Sequence, residues 1–176
     1  MNSASVIRYA MAAMGGLALT AAFPNIGIAG AAWVGPGLLL FSAWGSTPGR
    51  SFRLGFVGGL VHFLSSLYWL LLIPYTFHGI PLGPAAGWLA LSAYLSLFPA
   101  VWVWFCWKIF PPDKESFVST SGWRRVGWEG ACALAWVALE MIRGRLLSGF
   151  PWSCLGASQY KLLPLIQIAS ITGAYG

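Results

Sequence analysis

Long apolar runs separated by short polar breaks set the pattern of this chain. Five stretches, about 6–23, 28–44, 54–74, 85–107 and 126–143, are apolar almost throughout. Each comes near the roughly 20 residues that a helix needs to cross a bilayer core. The breaks are short, such as "AAFPNIG", apart from one polar loop, "PPDKESFVSTSGWRR" (111–125). Pro74 is expected to end the third run and Pro99 to kink the fourth, because proline lacks the N–H and crowds the preceding turn. Gly55 and Gly59 form a GxxxG step, and Ala131 and Ala135 a small-xxx-small step, where helix backbones can approach closely. No repeat and no linker divides the chain. The pattern predicts one all-α domain over residues 1–176, a bundle of about five helices followed by an irregular loop segment.

Composition turns this bundle into a membrane protein. Hydrophobic residues make up 58% of the 176, charged residues only 8%, and the mean hydropathy is +0.72. A soluble domain carries about 25% charged residues, so this chain cannot cover a water-facing surface. The first run lacks a basic leader beyond Arg8 and passes straight into the next, which predicts an uncleaved first span rather than a signal peptide. The net charge of +6 then bears on topology and contact with anionic lipid. No basic stripe with interleaved stacking aromatics exists, so nucleic acid is not a partner. With the N-terminus in the cytoplasm, Arg8, Arg50, Arg53, Lys108, Lys114, Arg124 and Arg125 lie inside, and Arg143, Arg145 and Lys161 outside. That is seven against three, the asymmetry the positive-inside rule requires. The 111–125 loop is then cytoplasmic, and "GFPW" (149–152) lies on the periplasmic side. Trp33, Trp44, Trp88, Trp107, Trp123 and Trp128 fall near span ends, where indoles anchor to headgroups.

Candidate chemistry is sparse. Cys106, Cys132 and Cys154 show no metal spacing, and no cofactor motif accompanies them. Cys106 and Cys132 read as packing residues inside spans. Cys154 reads as more exposed, but no base is close to it in sequence, and a thiol nucleophile needs one. His62 lies in a span and His78 in an outer loop, without evident partners. Glu129 lies near the inner end of the fifth run, one turn from Arg125. Glu140 stands out, because an ionisable residue in a membrane helix marks a pairing or functional site. Arg143 is three residues on, on the same helical face, and both it and Arg145 stand against the positive-inside bias. Two readings fit equally: an ion pair closing the helix end, with Gly144 and Gly149 shaping the turn, or a polar notch where an arginine meets a lipid phosphate and Trp152 lines an acyl-chain entrance.

The segments "AAFPNIGIAGAAWVGPGLLLF" (21–41), "GFVGGLVHFLSSLYWLLL" (55–72), "YLSLFPAVW" (94–102), "LEMIRGRLLSGFPWSCLGASQY" (139–160) and "PLIQIASITGAYG" (164–176) resemble, in order, the membrane arm of apolipoprotein N-acyltransferases. The last two blocks are the most specific. The resemblance implies a multi-pass bacterial inner-membrane enzyme that moves an acyl chain from a phospholipid to an enzyme cysteine, then to the α-amine of a diacylglyceryl-cysteine lipoprotein. It also implies a nitrilase-like domain with a Glu–Lys–Cys set after further spans. No residue here matches that set, so the chain reads as an N-terminal portion without catalytic residues. Trp152 matches a family tryptophan near the active-site entrance, and Glu140 and Arg143 match an "LE..RG" pattern. Together with the resemblance, Trp152, Arg143 and Glu140 are the expected substrate-binding residues, and phospholipid, lipoprotein, membrane lipid and the nitrilase-like domain the expected partners. The alternative class is a non-enzymatic scaffold or a small transporter. The chain lacks the repeat and midplane broken helices usual in transporters.

Overall fold

The computed structural model describes residues 3–74, 79–109 and 120–175. His78 and most of the 111–125 loop lie outside the described residues. Among the described residues five longer helices form the bundle: α1 (Ser3–Ala21), α2 (Ala31–Ala43), α3 (Pro48–Ser66), α4 (Gly83–Ile109) and α5 (Gly122–Arg143). A 3₁₀ turn, Tyr68–Leu72, follows α3, and short helical turns lie between Leu146 and Tyr175. The described residues contain no strand, in line with the all-α expectation.

Among the described residues two helices, Ser3–Ala21 and Gly83–Ile109, are long and apolar enough to cross a membrane. Within α3 and α5 apolarity is diluted by terminal charges, Arg50 and Arg53 in one and Arg124, Arg125, Glu129, Glu140 and Arg143 in the other. The third element differs from expectation. It starts earlier, with Pro48 at its first position and Thr47 as its cap, and stops at Ser66 rather than at Pro74. Pro48 suits a helix start because its missing N–H has no partner to lose there. The apolar 67–73 stretch continues as a tighter turn, a change that hydropathy does not register.

Small residues set the helix spacing. A Cβ on Gly16 of α1 would stand 2.2 Å from the Gly58 carbonyl of α3, and one on Gly35 of α2 would stand 3.0 Å from the Gly15 carbonyl. The GxxxG step works as expected: a Cβ at Gly55 would lie 2.6 Å from the Pro99 carbonyl, and one at Gly59 3.0 Å from Ser96 Cα. Leu19, Leu39, Leu54, Val103 and Cys106 fill the core between these seams. Pro99 sits inside a continuous α4, buried against α3.

Several tryptophans are struts within the bundle. Trp102 Nε1 donates to the Cys132 carbonyl at 2.8 Å and Trp128 Nε1 to that of Cys106 at 3.1 Å, tying α4 to α5. Trp107 reaches the Ser46 carbonyl and Trp88 that of Leu64. A buried indole needs such an acceptor. Trp33 and Trp123 are 69% and 87% exposed. Arg8 also has local work: its guanidinium donates to the Ser42 carbonyl at 2.8 Å and to that of Trp44. These are carbonyls that the end of α2 leaves without helical partners.

Candidate functional site

The last turns of α5 carry a buried ion pair. Glu140 and Arg143 are 6% and 5% exposed, with Arg143 Nη2 4.0 Å from Glu140 Oε1. One turn earlier, Trp136 Nε1 donates to the same Oε1 at 2.8 Å. The Leu155 N–H donates to it at 2.8 Å from outside the helix. Arg143 Nη2 lies 3.5 Å from the Ser153 carbonyl and 4.0 Å from Cys154 Sγ, and its guanidinium stacks 5.5 Å above the Phe63 ring. The Arg143 carbonyl accepts from Phe150 N–H at 3.0 Å. The two side chains and the Arg143 carbonyl together therefore clasp residues 150–155 against the bundle. Arg145 does not join them: it is exposed and reaches back to the Met141 carbonyl of its own turn.

The clasp depends on a sharp reversal. Leu147, Ser148 and Gly149 are consecutive left-handed residues (φ 52°, 75° and 80°), and Ser153 is a fourth (φ 54°). Such conformations cost non-glycine residues on the order of 1 kcal/mol or more each, so the surrounding contacts must hold them. Gly149 tolerates no side chain, since its Cβ would fall 2.2 Å from the Gly144 carbonyl.

The reversal delivers Trp152 to a cleft of about 690 Å³ at this end of the bundle. Aromatic walls come from Phe23, Tyr68, Trp69, Trp152 and Tyr160, and hydroxyls from Thr20 and Ser66 among others. Its lining contains no Asp, Glu, Lys or Arg among the described residues. Trp152 is 51% exposed, with its ring 5.6 Å from that of Trp69 and 6.2 Å from that of Phe150. Behind Thr20 and Ser66 lies His62, whose Nδ1 is 3.1 Å from Thr20 Oγ1 and 3.3 Å from Ser66 Oγ. The far side of the loop is also pinned. Gln159 donates to the Ala29 carbonyl at 3.1 Å and accepts from Trp33 Nε1 at 3.4 Å.

Of the three residues singled out in the sequence, Glu140 and Arg143 thus meet each other, while Trp152 stands apart on the cleft and is linked to them through 153–155. The arginine is not on the surface. Partners that sequence reading missed include Trp136, which shares the face of Glu140 four residues earlier, and the Thr20–His62–Ser66 cluster. Cys154 is buried, at 6% exposed, rather than exposed as its loop position suggests. Burial pushes its thiol pKa up, and the Glu140 carboxylate adds to this, with the nearby Arg143 opposing. It stays protonated at neutral pH and is poorly placed as a nucleophile. Among the described residues, no three His, Cys, Asp or Glu side chains gather to hold a metal.

Comparison with known proteins bears on what this cleft belongs to. Residues 15–176 match the family described as "Apolipoprotein N-acyltransferase N-terminal domain". A protein of Geobacter metallireducens named apolipoprotein N-acyltransferase is 38% identical over 169 residues, which cover 96% of this chain and 30% of that relative. Similarly named proteins of Methylococcus capsulatus and Nitrosomonas europaea are 33% and 34% identical, over 94% and 74% of this chain and 31% and 24% of their own lengths. The chain spans less than a third of the length of these curated relatives. With the signature blocks at 139–160 and 164–176 inside the matched region, the chain belongs to the apolipoprotein N-acyltransferase N-terminal domain family.

Proposed function

We propose that this chain is the membrane arm of a phospholipid–apolipoprotein N-acyltransferase of the bacterial inner membrane. In this reading five helices span the membrane, the N-terminus is cytoplasmic, and the Trp152 cleft opens toward the periplasmic leaflet. The acyl-transfer chemistry belongs to a nitrilase-like domain carrying a Glu–Lys–Cys set. The arm seats the lipid parts of the phospholipid donor and the diacylglyceryl-lipoprotein acceptor beside that domain's thiol. Holding two reactants in register converts a bimolecular encounter into an effectively unimolecular one, which can supply a large part of a rate enhancement.

The observation that carries this reading is the cleft itself. Its walls combine flat aromatic faces with hydroxyl groups and no charge among the described lining residues. That suits glyceryl esters and the upper part of acyl chains, which need apolar area plus a few hydrogen-bond donors. Trp152 lines it directly. Glu140 and Arg143 act on the substrate through the loop: they fix residues 150–155 and hence the place of the indole. The seven-to-three distribution of basic residues supports the orientation. At 19 and 22 residues, α3 and α5 extend about 28 and 33 Å at ~1.5 Å per residue, enough to span with charges at their ends, whereas the 13 residues of α2 extend about 20 Å and cross only together with the turns that flank them.

The test is Trp152→Cys on a background with Cys106, Cys132 and Cys154 replaced. An impermeant maleimide should label it in spheroplasts without permeabilisation. Short-chain phospholipid added to the purified protein should slow that labelling. Labelling only after permeabilisation would overturn the orientation, and a rate indifferent to lipid would remove the cleft as the seat.

A further inference from the structure

The Glu140–Arg143 pair is incompletely satisfied by protein atoms alone. Arg143 Nε is buried and has no hydrogen-bond partner among the described residues, although the side chain is only 5% exposed. A buried guanidinium N–H without an acceptor is costly, so native structures rarely leave one. The contacts that Arg143 does make are long: 4.0 Å to Glu140 Oε1 and 3.5 Å to the Ser153 carbonyl. Separations beyond about 3.5 Å are where a bridging water is to be sought. On the carboxylate, Trp136, Leu155 and Arg143 all converge on Oε1, which leaves Oε2 as a second acceptor.

These groups surround a cavity of about 30 Å³, walled by Glu140, Arg143, His62 and Ser153 together with apolar residues such as Phe63 and Trp136. A water needs roughly 10–15 Å³ of such space and two to four polar partners. The cavity therefore has room for one or two waters and enough polar wall to hold them.

We infer that this cavity is a structural hydration site, in which a water accepts from Arg143 Nε–H and donates to the Glu140 carboxylate and the Ser153 carbonyl. The ion pair is thus water-mediated, and its third member is solvent. Phe23 and Ser153 line both this cavity and the Trp152 cleft, so the water forms the inner end of the polar floor beneath the cleft. It stabilises Ser153 in its left-handed conformation and, through it, the neighbouring indole. The inference does not depend on the lipid-seating role.

A crystal structure of the full chain in lipidic phase, refined at a resolution that shows ordered water, tests this. A second crystal pressurised with xenon and long-wavelength anomalous data complete the test. The expected result is a density peak within about 3.2 Å of Arg143 Nε, without anomalous signal and not displaced by xenon. Xenon in the cavity would mean that it is dry, and an anomalous peak would mean chloride. No peak, or Nε bonded to a protein or lipid atom, would equally overturn the proposal.

Discussion

Glu140→Ala is expected to lower the stability of this chain by about 3–5 kcal/mol, the cost typical of breaking a buried ion pair from one side. The substitution leaves the Arg143 guanidinium buried, at 5% exposed, with no anion beside it. It also removes the acceptor of Trp136 Nε1 and of the Leu155 N–H, so two further donors are left without their partner. Two companion variants separate these contributions. Glu140→Gln keeps an oxygen for Trp136 and Leu155 and loses only the charge, so its loss should be smaller than that of Glu140→Ala. Glu140→Gln combined with Arg143→Met removes both charges and should recover part of the deficit, since a buried pair replaced as a unit is often near neutral. Denaturation of the purified chain in detergent measures all three. Losses for Glu140→Ala within about 0.5 kcal/mol, the range of an ordinary surface substitution, would contradict the clasp.

The second large effect is on activity. In a full-length family member carrying the same "GFPW" block, Trp152→Ala is expected to reduce lipid-dependent turnover by about tenfold or more with little change in melting. Half of the indole is exposed, and its ring contacts are with Trp69 on the cleft wall and with Phe150, which itself packs on the Phe63–Leu67–Leu95 cluster. Its loss removes little folding energy but much of one wall. A half-buried aromatic face gained on binding contributes about 1–2 kcal/mol, and 1.4 kcal/mol is a factor of ten. Trp152→Phe should retain most of the activity. Measuring acyl-enzyme formation and transfer separately shows which lipid uses the wall. Unchanged kinetics with a lowered melting temperature would reduce Trp152 to a structural cap.

Much of this was legible before the structure. Hydropathy marks five helical elements because long apolar runs leave few alternatives, and the Gly55–Gly59 spacing marks a face for close helix approach, though only the fold names Ser96 and Pro99 as what approaches it. Glu140 and Arg143 are conspicuous because charge is so rare in the chain, and the ion-pair reading of them is met: they pair and hold the loop at Ser153 and Leu155. What spacing does not reveal is direction across the bundle. Phe23, Tyr68 and Trp69 come from the ends of α1 and α3, and only the fold brings them opposite Trp152. The same holds for His62, whose partner Thr20 is 42 residues away. Nor does a tryptophan near a span end declare whether its N–H faces a headgroup, a neighbouring helix's carbonyl as in Trp88, or a loop carbonyl as in Trp107. The end of α3 at Ser66 is hidden because a 3₁₀ turn of Leu, Tyr and Trp is as apolar as a helix.

The central claim is that the cleft between α1, the 3₁₀ turn after α3 and the 150–160 loop seats lipid. Photo-crosslinking tests it most directly, with this chain reconstituted in vesicles that contain a phospholipid bearing a diazirine near the glycerol ester, followed by peptide mapping. The predicted result is adducts concentrated on Phe23, Tyr68, Trp69, Trp152 and Tyr160, and lost from that group when Trp152 is replaced by alanine. Adducts spread over the outward faces of the helices, at residues such as Leu17, Val34 and Leu134, with none in the cleft, would contradict it.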